Sequence, residues 1–215
     1  MEIIALVPAF NEAPRIAKVL DILTDIDYIN SVYVIDDGSI DKTSEVAEQY
    51  NVILLRHIQN LGKGAALQTA IRLTSADYYL FIDADLIGLT AKHIDALIEP
   101  LFKDDKTVMS IGTFKRGGKT SVNLAQKYFY ILNGQRCLRG SFAKELPDIS
   151  WTRFGVEVFI SKYAAMKNYK VCYPDLTGLT HYRKEEKMGF MRGFLYRLQM
   201  YREILHTYKE FQHHV

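Results

Sequence analysis

The stretch Tyr78-Tyr79-Leu80-Phe81-Ile82-Asp83-Ala84-Asp85 narrows the choice of fold more than any other part of this chain. Aromatic and branched apolar residues run without alternation into two acids separated by one small residue. A strand that is apolar along its whole length is covered on both faces, as strands of parallel sheets are. A carboxylate is costly to bury unpaired, so the two acids, followed by Gly88, mark an edge where the strand surfaces. In open α/β sheets ligands sit at the carboxyl ends of the strands. An Asp-x-Asp pair there can hold a hard cation through its oxygens, and that cation can neutralise a substrate's phosphates. The plainer alternative is a pair of solvated turn acids.

Several classes of protein fall away at once. The 215 residues suffice for one good-sized domain with a full core, or for two interlocked halves. A formal net charge of +2 gives no sign of a nucleic-acid binder. Cys137 and Cys172 lie far apart without metal-like spacing, and read as free thiols in a reducing cytoplasm. The opening Met1-Glu2-Ile3-Ile4 shows no basic region leading into a long apolar core, so no signal peptide is expected. No run approaches the ~20 apolar residues of a membrane span, and no repeat is visible.

Taken in order, residues 2–8 form an apolar strand ended by Pro8, and a turn at Ala9-Phe10-Asn11-Glu12 leads to Pro14 in a first helical turn. Ile16, Val19, Leu20 and Leu23 make a helical stripe. A second strand, Ser31 to Ile35, runs into Asp36-Asp37-Gly38-Ser39, with Asp41 or Thr43 capping a helix. Val52 to Leu55 is a third strand, and Gly62-Lys63-Gly64 opens a helix from Ala65 to Leu73 before the Asp-x-Asp strand. This β-α-β-α-β-α-β alternation predicts a mostly parallel sheet with helices on both faces. Every functional-looking cluster of this half follows a strand, so the loops share one rim and one cleft. The second half is less regular: a strand at 108–112, a helix at 121–132, a helix at 154–166, a short strand at 169–174, and a tail helix at 190–211.

Each polar cluster carries a chemical reading and a plainer one. Asp36, at a strand end, can accept from a base N–H or a ribose hydroxyl, Gly38 permits a tight turn, and the helix that follows favours anions; otherwise this is an Asp-Gly turn with a cap. Lys63 between two glycines at a helix start suits a phosphate cradle, or is a simple loop. Gly112 to Thr120 nearly spells a P-loop, but its spacer is one residue too long. Arg136 and Arg139 can grip a phosphate, or are surface arginines after a helix. Glu157 lies in an apolar run and is either a general base tuned by burial or half of a structural salt bridge. His181 is a third metal ligand or a structural histidine. The tail is a docking helix, a membrane-surface helix or a dimer element.

Four segments together resemble the family 2 glycosyltransferases of the GT-A fold, and within them the dolichyl-phosphate-mannose-synthase-like branch. They are Val7-Pro8-Ala9-Phe10-Asn11-Glu12, Val34-Ile35-Asp36-Asp37-Gly38-Ser39 with Asp41 and Thr43, Asn60-Leu61-Gly62-Lys63-Gly64-Ala65-Ala66, and Phe81-Ile82-Asp83-Ala84-Asp85. The resemblance implies a Rossmann-like, mostly parallel sheet flanked by helices. It places Pro8, Ala9, Asn11 and Glu12 along a nucleotide-sugar, Asp36 at its base, Asp37 and Ser39 nearby, and Lys63 at its phosphates. Asp83, Ala84 and Asp85 become the metal and ribose motif, with Mg²⁺ or Mn²⁺ bridging the diphosphate. Asn133-Gly134-Gln135-Arg136 resembles the branch's glycine-arginine loop, which implies acceptor binding by Gln135 and Arg136. Glu157 falls where related enzymes carry an acid, but Val158 breaks the commoner Glu-Asp pair. Phe154-Gly155-Val156-Glu157 and His181 also resemble the retaining glucosyl-3-phosphoglycerate synthases, where the histidine is a metal ligand.

The resulting expectation is a metal-dependent hexosyltransferase using a UDP- or GDP-sugar and a hydroxyl or phosphate acceptor, such as a polyprenyl phosphate. A GT-A catalytic domain is expected over 1–180, with a nucleotide-sugar half at 1–110 and an acceptor half at 111–180, followed by a loop and amphipathic helix at 181–215. A cytoplasmic enzyme, peripheral at the inner membrane face through the tail helix or paired as a homodimer, is the corresponding cellular picture. A non-catalytic nucleotide-sugar-binding subunit is the rival from another class. A nucleotidyltransferase is disfavoured, because its glycine-rich arginine signature is missing near the N-terminus.

Overall fold

A computed structural model describes residues 1–113, 130–181 and 190–215, without the side chains of Tyr130, His181 and residues 190–197. Seven strands form the central sheet in the order β3-β2-β1-β4-β7-β6-β8. They are β1 (Ile3–Ala9), β2 (Ser31–Asp36), β3 (Ile53–Arg56), β4 (Tyr78–Phe81), β6 (Thr107–Ile111), β7 (Arg136–Arg139) and β8 (Lys170–Cys172). A separate two-stranded ribbon pairs β5 (Leu86–Ile87) with β9 (Thr180–His181). All neighbouring pairs of the large sheet are parallel except those made by β7, which runs against both β4 and β6.

The unalternating strands do have two covered faces. Ile3, Ala5 and Val7 of β1 and Leu80 of β4 join one core with Ile16, Val19, Leu20 and Leu23 of helix α1 (Ile16–Leu23). The same core takes Ala47 of α2 (Thr43–Ala47) and the stripe Ile94, Leu97, Ile98 and Leu101 of α4 (Ala91–Lys103). Ile4 and Leu6 of β1 and Tyr79 and Phe81 of β4 face the opposite core. There they meet Ala66, Leu67, Ala70 and Ile71 of α3 (Lys63–Leu73), Phe142 of α5 (Gly140–Glu145), and Val156, Phe159, Ile160 and Tyr163 of α6 (Val156–Met166).

The structure departs from sequence expectation at several points. Helix α4 was not anticipated, although its stripe has ordinary helical spacing; it begins at a capping box between Thr90 and His93. Strand β7 stands where Arg136 and Arg139 could have been surface arginines after a helix, and the expected helix at 121–132 lies outside the described residues except for a 3₁₀ turn at Tyr130–Leu132. The near-P-loop segment beyond Thr113, with Lys115, Arg116 and Lys119, and the charged stretch 183–187 also lie outside them. The helix carrying Glu157 begins at Val156, after a 3₁₀ segment, Ser150–Gly155.

The tail forms one long helix, α7 (Phe190–Glu210), closed by a 3₁₀ turn at Phe211–His213. Its C-terminal half docks on the body. Phe211 is fully buried against Phe159, Thr207 is buried beside Gly155, and Trp151 stacks on His214 with ring centroids 3.9 Å apart. Among the described residues, no helix is long and apolar enough to cross a membrane. Truncating a buried phenylalanine costs about 3–5 kcal/mol, so Phe211→Ala is expected to lower the urea midpoint by a corresponding amount without changing the m-value. An unchanged midpoint would show that the tail is not docked in solution.

Candidate active site

The loops after β1, β2, β3 and β4 share the carboxyl rim of the sheet. Because β7 is reversed, the segment leading into it, Asn133-Gly134-Gln135, arrives at that same rim, with Arg136 paired opposite Phe81. The first-turn acid of α6, Glu157, completes the ring.

The first two loops are stitched together by side chains. Asn11, in a left-handed conformation (φ 56°), donates its N–H to Ser39 Oγ at 2.9 Å and accepts from the Ile40 N–H through Oδ1 at 3.0 Å. The Glu12 N–H donates to Thr43 Oγ1 at 2.8 Å, and the Glu12 carboxylate pairs with Arg15 at 2.8 Å. Asp41 accepts from the Thr43 N–H at 3.0 Å, but the N-cap position of α2 is Lys42 and no side chain caps the helix; Asp41 and Thr43 instead brace the turn before it. Pro8 lies within β1 and pairs opposite Ile35, while the Ala9 carbonyl accepts the Asp37 N–H at 2.8 Å.

The two acids after β2 serve different masters. Asp36 is fully buried and accepts from the Ser39 N–H at 2.8 Å and from the Ser44 hydroxyl. Asp37 reaches across to the third loop, accepting the Leu61 N–H at 3.0 Å, the Gly62 N–H at 2.7 Å, and His57 Nδ1 at 2.7 Å. His57 Nε2 in turn meets Thr69 Oγ1 at 3.0 Å. Sequence reasoning missed His57. It is one residue beyond β3, so the same rule that singled out the acids after β2 and β4 would have found it.

Lys63, the first residue of α3, stands at the centre. Its ammonium donates to Asp83 Oδ1 at 2.5 Å and to Glu157 Oε1 at 2.6 Å. Burial disfavours the charged ammonium, but the attraction of Asp83 and Glu157 and their hydrogen bonds outweigh it and hold the lysine above its ordinary value of 10.5. Gln135 is fully buried and donates from Nε2 to Asp83 Oδ2 at 2.9 Å, while its Oε1 has no hydrogen-bond partner among the described residues. Gly134 leaves room for this cluster: a Cβ would stand 2.4 Å from Asp83 Oδ2 and 2.6 Å from Lys63 Nζ, so both side chains would have to move.

Arg136 is not at the surface. Its Nε donates to the Asn133 carbonyl at 2.9 Å, one terminal nitrogen to Ser161 Oγ at 2.9 Å, and the other to the Ile131 carbonyl. Burial lowers this guanidinium to about 10, against the pull of Glu157. Arg139 donates to the carbonyls of Leu101 and Thr107 and to Tyr78. Ala84 is buried between the two acids of the Asp-x-Asp. Asp85 is followed directly by β5, where Leu86 pairs opposite His181, so the ribbon brings the backbone of the predicted third ligand beside the acid pair.

The sequence matches the model of glycosyl transferase family 2 over residues 4–167. The chain belongs to that family. As a glycosyltransferase it has relatives of several kinds. An uncharacterized protein of Methanocaldococcus jannaschii, MJ1222, is 31% identical over an alignment 219 positions long, covering 90% of this chain and 88% of the relative. The dolichyl-phosphate β-glucosyltransferase of Dictyostelium discoideum is 29% identical, covering 60% of this chain and 44% of the relative. Among solved structures, glucosyl-3-phosphoglycerate synthase from Mycobacterium tuberculosis, in complex with Mn²⁺, UDP and glucosyl-3-phosphoglycerate, superposes with a TM-score of 0.79 at 22% identity, covering 98% of this chain and 79% of that one. That likeness shows the GT-A fold.

Removing the lysine from this transferase leaves two carboxylates facing each other with little water. Breaking a buried pair in this way costs on the order of 3 kcal/mol, so Lys63→Met is expected to lose about that much stability at pH 7. In the wild type the lysine's folded value is raised, so its contribution is fully present below 10.5 and is lost only as pH rises through the raised value. Denaturation of both proteins from pH 5 to 10 checks this: the difference should persist across the window, and equal stabilities would refute it.

Proposed function

We propose that this glycosyltransferase moves a hexose from a UDP- or GDP-sugar to a hydroxyl or phosphate acceptor, with Mg²⁺ or Mn²⁺ on the donor diphosphate. The observation that carries this reading is the cluster of Lys63, Asp83 and Glu157 at the rim where four β-to-α loops converge. The names of two relatives, a dolichyl-phosphate β-glucosyltransferase and a glucosyl-3-phosphoglycerate synthase studied with UDP-glucose and Mn²⁺, support UDP-glucose as the first donor to test.

The residues present suit such a cation. Among the described residues no three His, Cys, Asp or Glu side chains converge into a ready-made metal site. Mg²⁺ is commonly held by one or two carboxylates and substrate phosphates, and Asp83 and Asp85 supply that donor set, with His181 as the further ligand. Once bound, the cation would supply positive charge against the departing diphosphate.

The remaining work falls to the chain. The loops at Pro8–Glu12 and Asp36–Ser39, tied to each other through Asn11 and Ser39, shape the nucleotide cleft. Lys63 is kept charged at all physiological pH values, so it can turn from its carboxylates to a diphosphate and stabilise the charge that grows there. That move also uncovers Glu157 Oε1, which then takes the proton of an attacking hydroxyl. A phosphate acceptor is already ionised and needs no base. Gln135 Oε1, a buried acceptor at the rim, receives a substrate hydroxyl. Arg136 supports this loop from behind through the Asn133 carbonyl. A second reading, a retaining transferase with a soluble acceptor, is favoured by the placement of His181 opposite Leu86.

Calorimetric titration with UDP, GDP, UDP-glucose and GDP-mannose, each with and without Mn²⁺, tests the donor. One nucleotide series should bind, more tightly with metal, and Asp85→Ala should abolish the metal effect. Absence of binding in every series with metal present would refute the reading. For a hydroxyl acceptor, Glu157→Gln should reduce turnover by about a hundredfold or more; near-normal turnover would remove Glu157 as the base.

A further inference from the structure

Arg153 has a backbone that an L-residue rarely adopts, with φ 49° and ψ −116°. Such strain persists only where the surroundings over-determine it, and it concentrates at functional sites. The surroundings here are specific. The Arg153 guanidinium donates through Nε to Glu203 Oε1 of α7 at 3.0 Å, through one terminal nitrogen to the Leu61 carbonyl at 3.2 Å, and through the other to Asn60 Oδ1 at 3.0 Å. Its aliphatic stem lies flat on Gly62, where a Cβ would come within 2.8 Å of Arg153 Cγ.

The loop 60–62 is therefore held from two sides. Asp37 takes the N–H groups of Leu61 and Gly62, and Arg153 takes the carbonyl of Leu61. The next residue is Lys63. On its far side Arg153 is fastened to the tail helix, where Glu203 also accepts from the Phe154 N–H and Thr207 donates to the Thr152 carbonyl. A partly exposed ion pair adds little stability of its own. A fork with donors in fixed directions fixes geometry instead.

We propose that Arg153 is a positioning residue: it aims the loop that carries Lys63 and transmits the docking of the C-terminal helix α7 to the donor diphosphate site. The inference rests on the donor site proposed above. Docking of the helix and binding of nucleotide then favour each other, and by linkage the effect is equal in both directions.

The test uses the full chain and Arg153→Gly, because glycine accepts this backbone without strain while the guanidinium is lost. Glu203→Gln keeps an acceptor but removes the charge. Hydrogen exchange of the Leu61 and Gly62 amides is measured without ligand, together with affinity for UDP and for GDP with Mn²⁺ and protection of residues 199–210 on nucleotide addition. In Arg153→Gly the thermal midpoint should barely move, the two amides should exchange about tenfold faster, and nucleotide affinity should fall about tenfold, within the usual range of coupling between sites. Nucleotide should protect α7 in the wild type and fail to do so in Arg153→Gly, with Glu203→Gln between them. Amide exchange and affinity within twofold of wild type would overturn the positioning role. Weakened binding with the protection of α7 intact would overturn its link to the helix. If wild type binds neither nucleotide, the donor reading fails, and the amide exchange still decides whether Arg153 holds the loop.

Discussion

The ammonium of Lys63 sits between two carboxylates that come from opposite halves of the chain, Asp83 after β4 and Glu157 at the start of α6. Without the ammonium the two carboxylates would be left facing each other unpaired, at a large cost, because an unpaired buried charge is far more expensive than a paired one. The cluster therefore ties the position of α6 to the end of the central strand and to the start of α3. Gln135 and Gly134 are fitted around it, one by a hydrogen bond to Asp83 and the other by lacking a side chain. The same three charges that join the halves are the groups a diphosphate and a cation would rearrange.

Around that cluster the protein spends its acids on backbone N–H groups. Asp36 and Asp37 between them accept from Ser39, Leu61 and Gly62, so the second and third loops hold one shape before any ligand arrives. Glycines occur where this shape brings two backbones together: a Cβ on Gly38 would lie 2.5 Å from the Gln59 carbonyl carbon, and one on Gly64 would lie 2.4 Å from the Ile149 carbonyl oxygen. The shape of this rim follows from ordinary turn chemistry, in carboxylates that accept from backbone N–H groups and glycines that let two backbones meet.

The parallel half of the fold was legible because its signals are local: unbroken apolar strands, a helical stripe, and polar residues just after each strand. The positions of the candidate acids just after β2 and β4 were legible for the same reason. The partnerships were not. That Asp36 turns inward to Ser44, or that Glu157 shares a lysine with Asp83, depends on which elements the topology brings together. Strand β7 was hidden by its own composition, Arg-Cys-Leu-Arg, which reads as a surface segment. Both arginines satisfy their donors on buried carbonyls and hydroxyls, so polar residues are stable at central positions of the sheet. Arg153 left no sequence signal, since nothing local announces a strained backbone.

The reversal of β7 has a consequence for how this scaffold can change. The chain leaves the sheet after β6 and re-enters it at β7 on the same rim, and the two ends are fastened to each other. The Gly112 N–H donates to the Gln135 carbonyl at 2.9 Å, and the Asn133 amide returns to the Gly112 carbonyl. Whatever lies between those fastenings is topologically a cassette. A stretch closed in this way can lengthen, shorten or be exchanged at only the slowly growing cost of closing a loop, while the Lys63, Asp83 and Glu157 cluster stays where it is. Divergence in this scaffold can thus rewrite one excursion of the chain and leave untouched the three charges that hold its halves together.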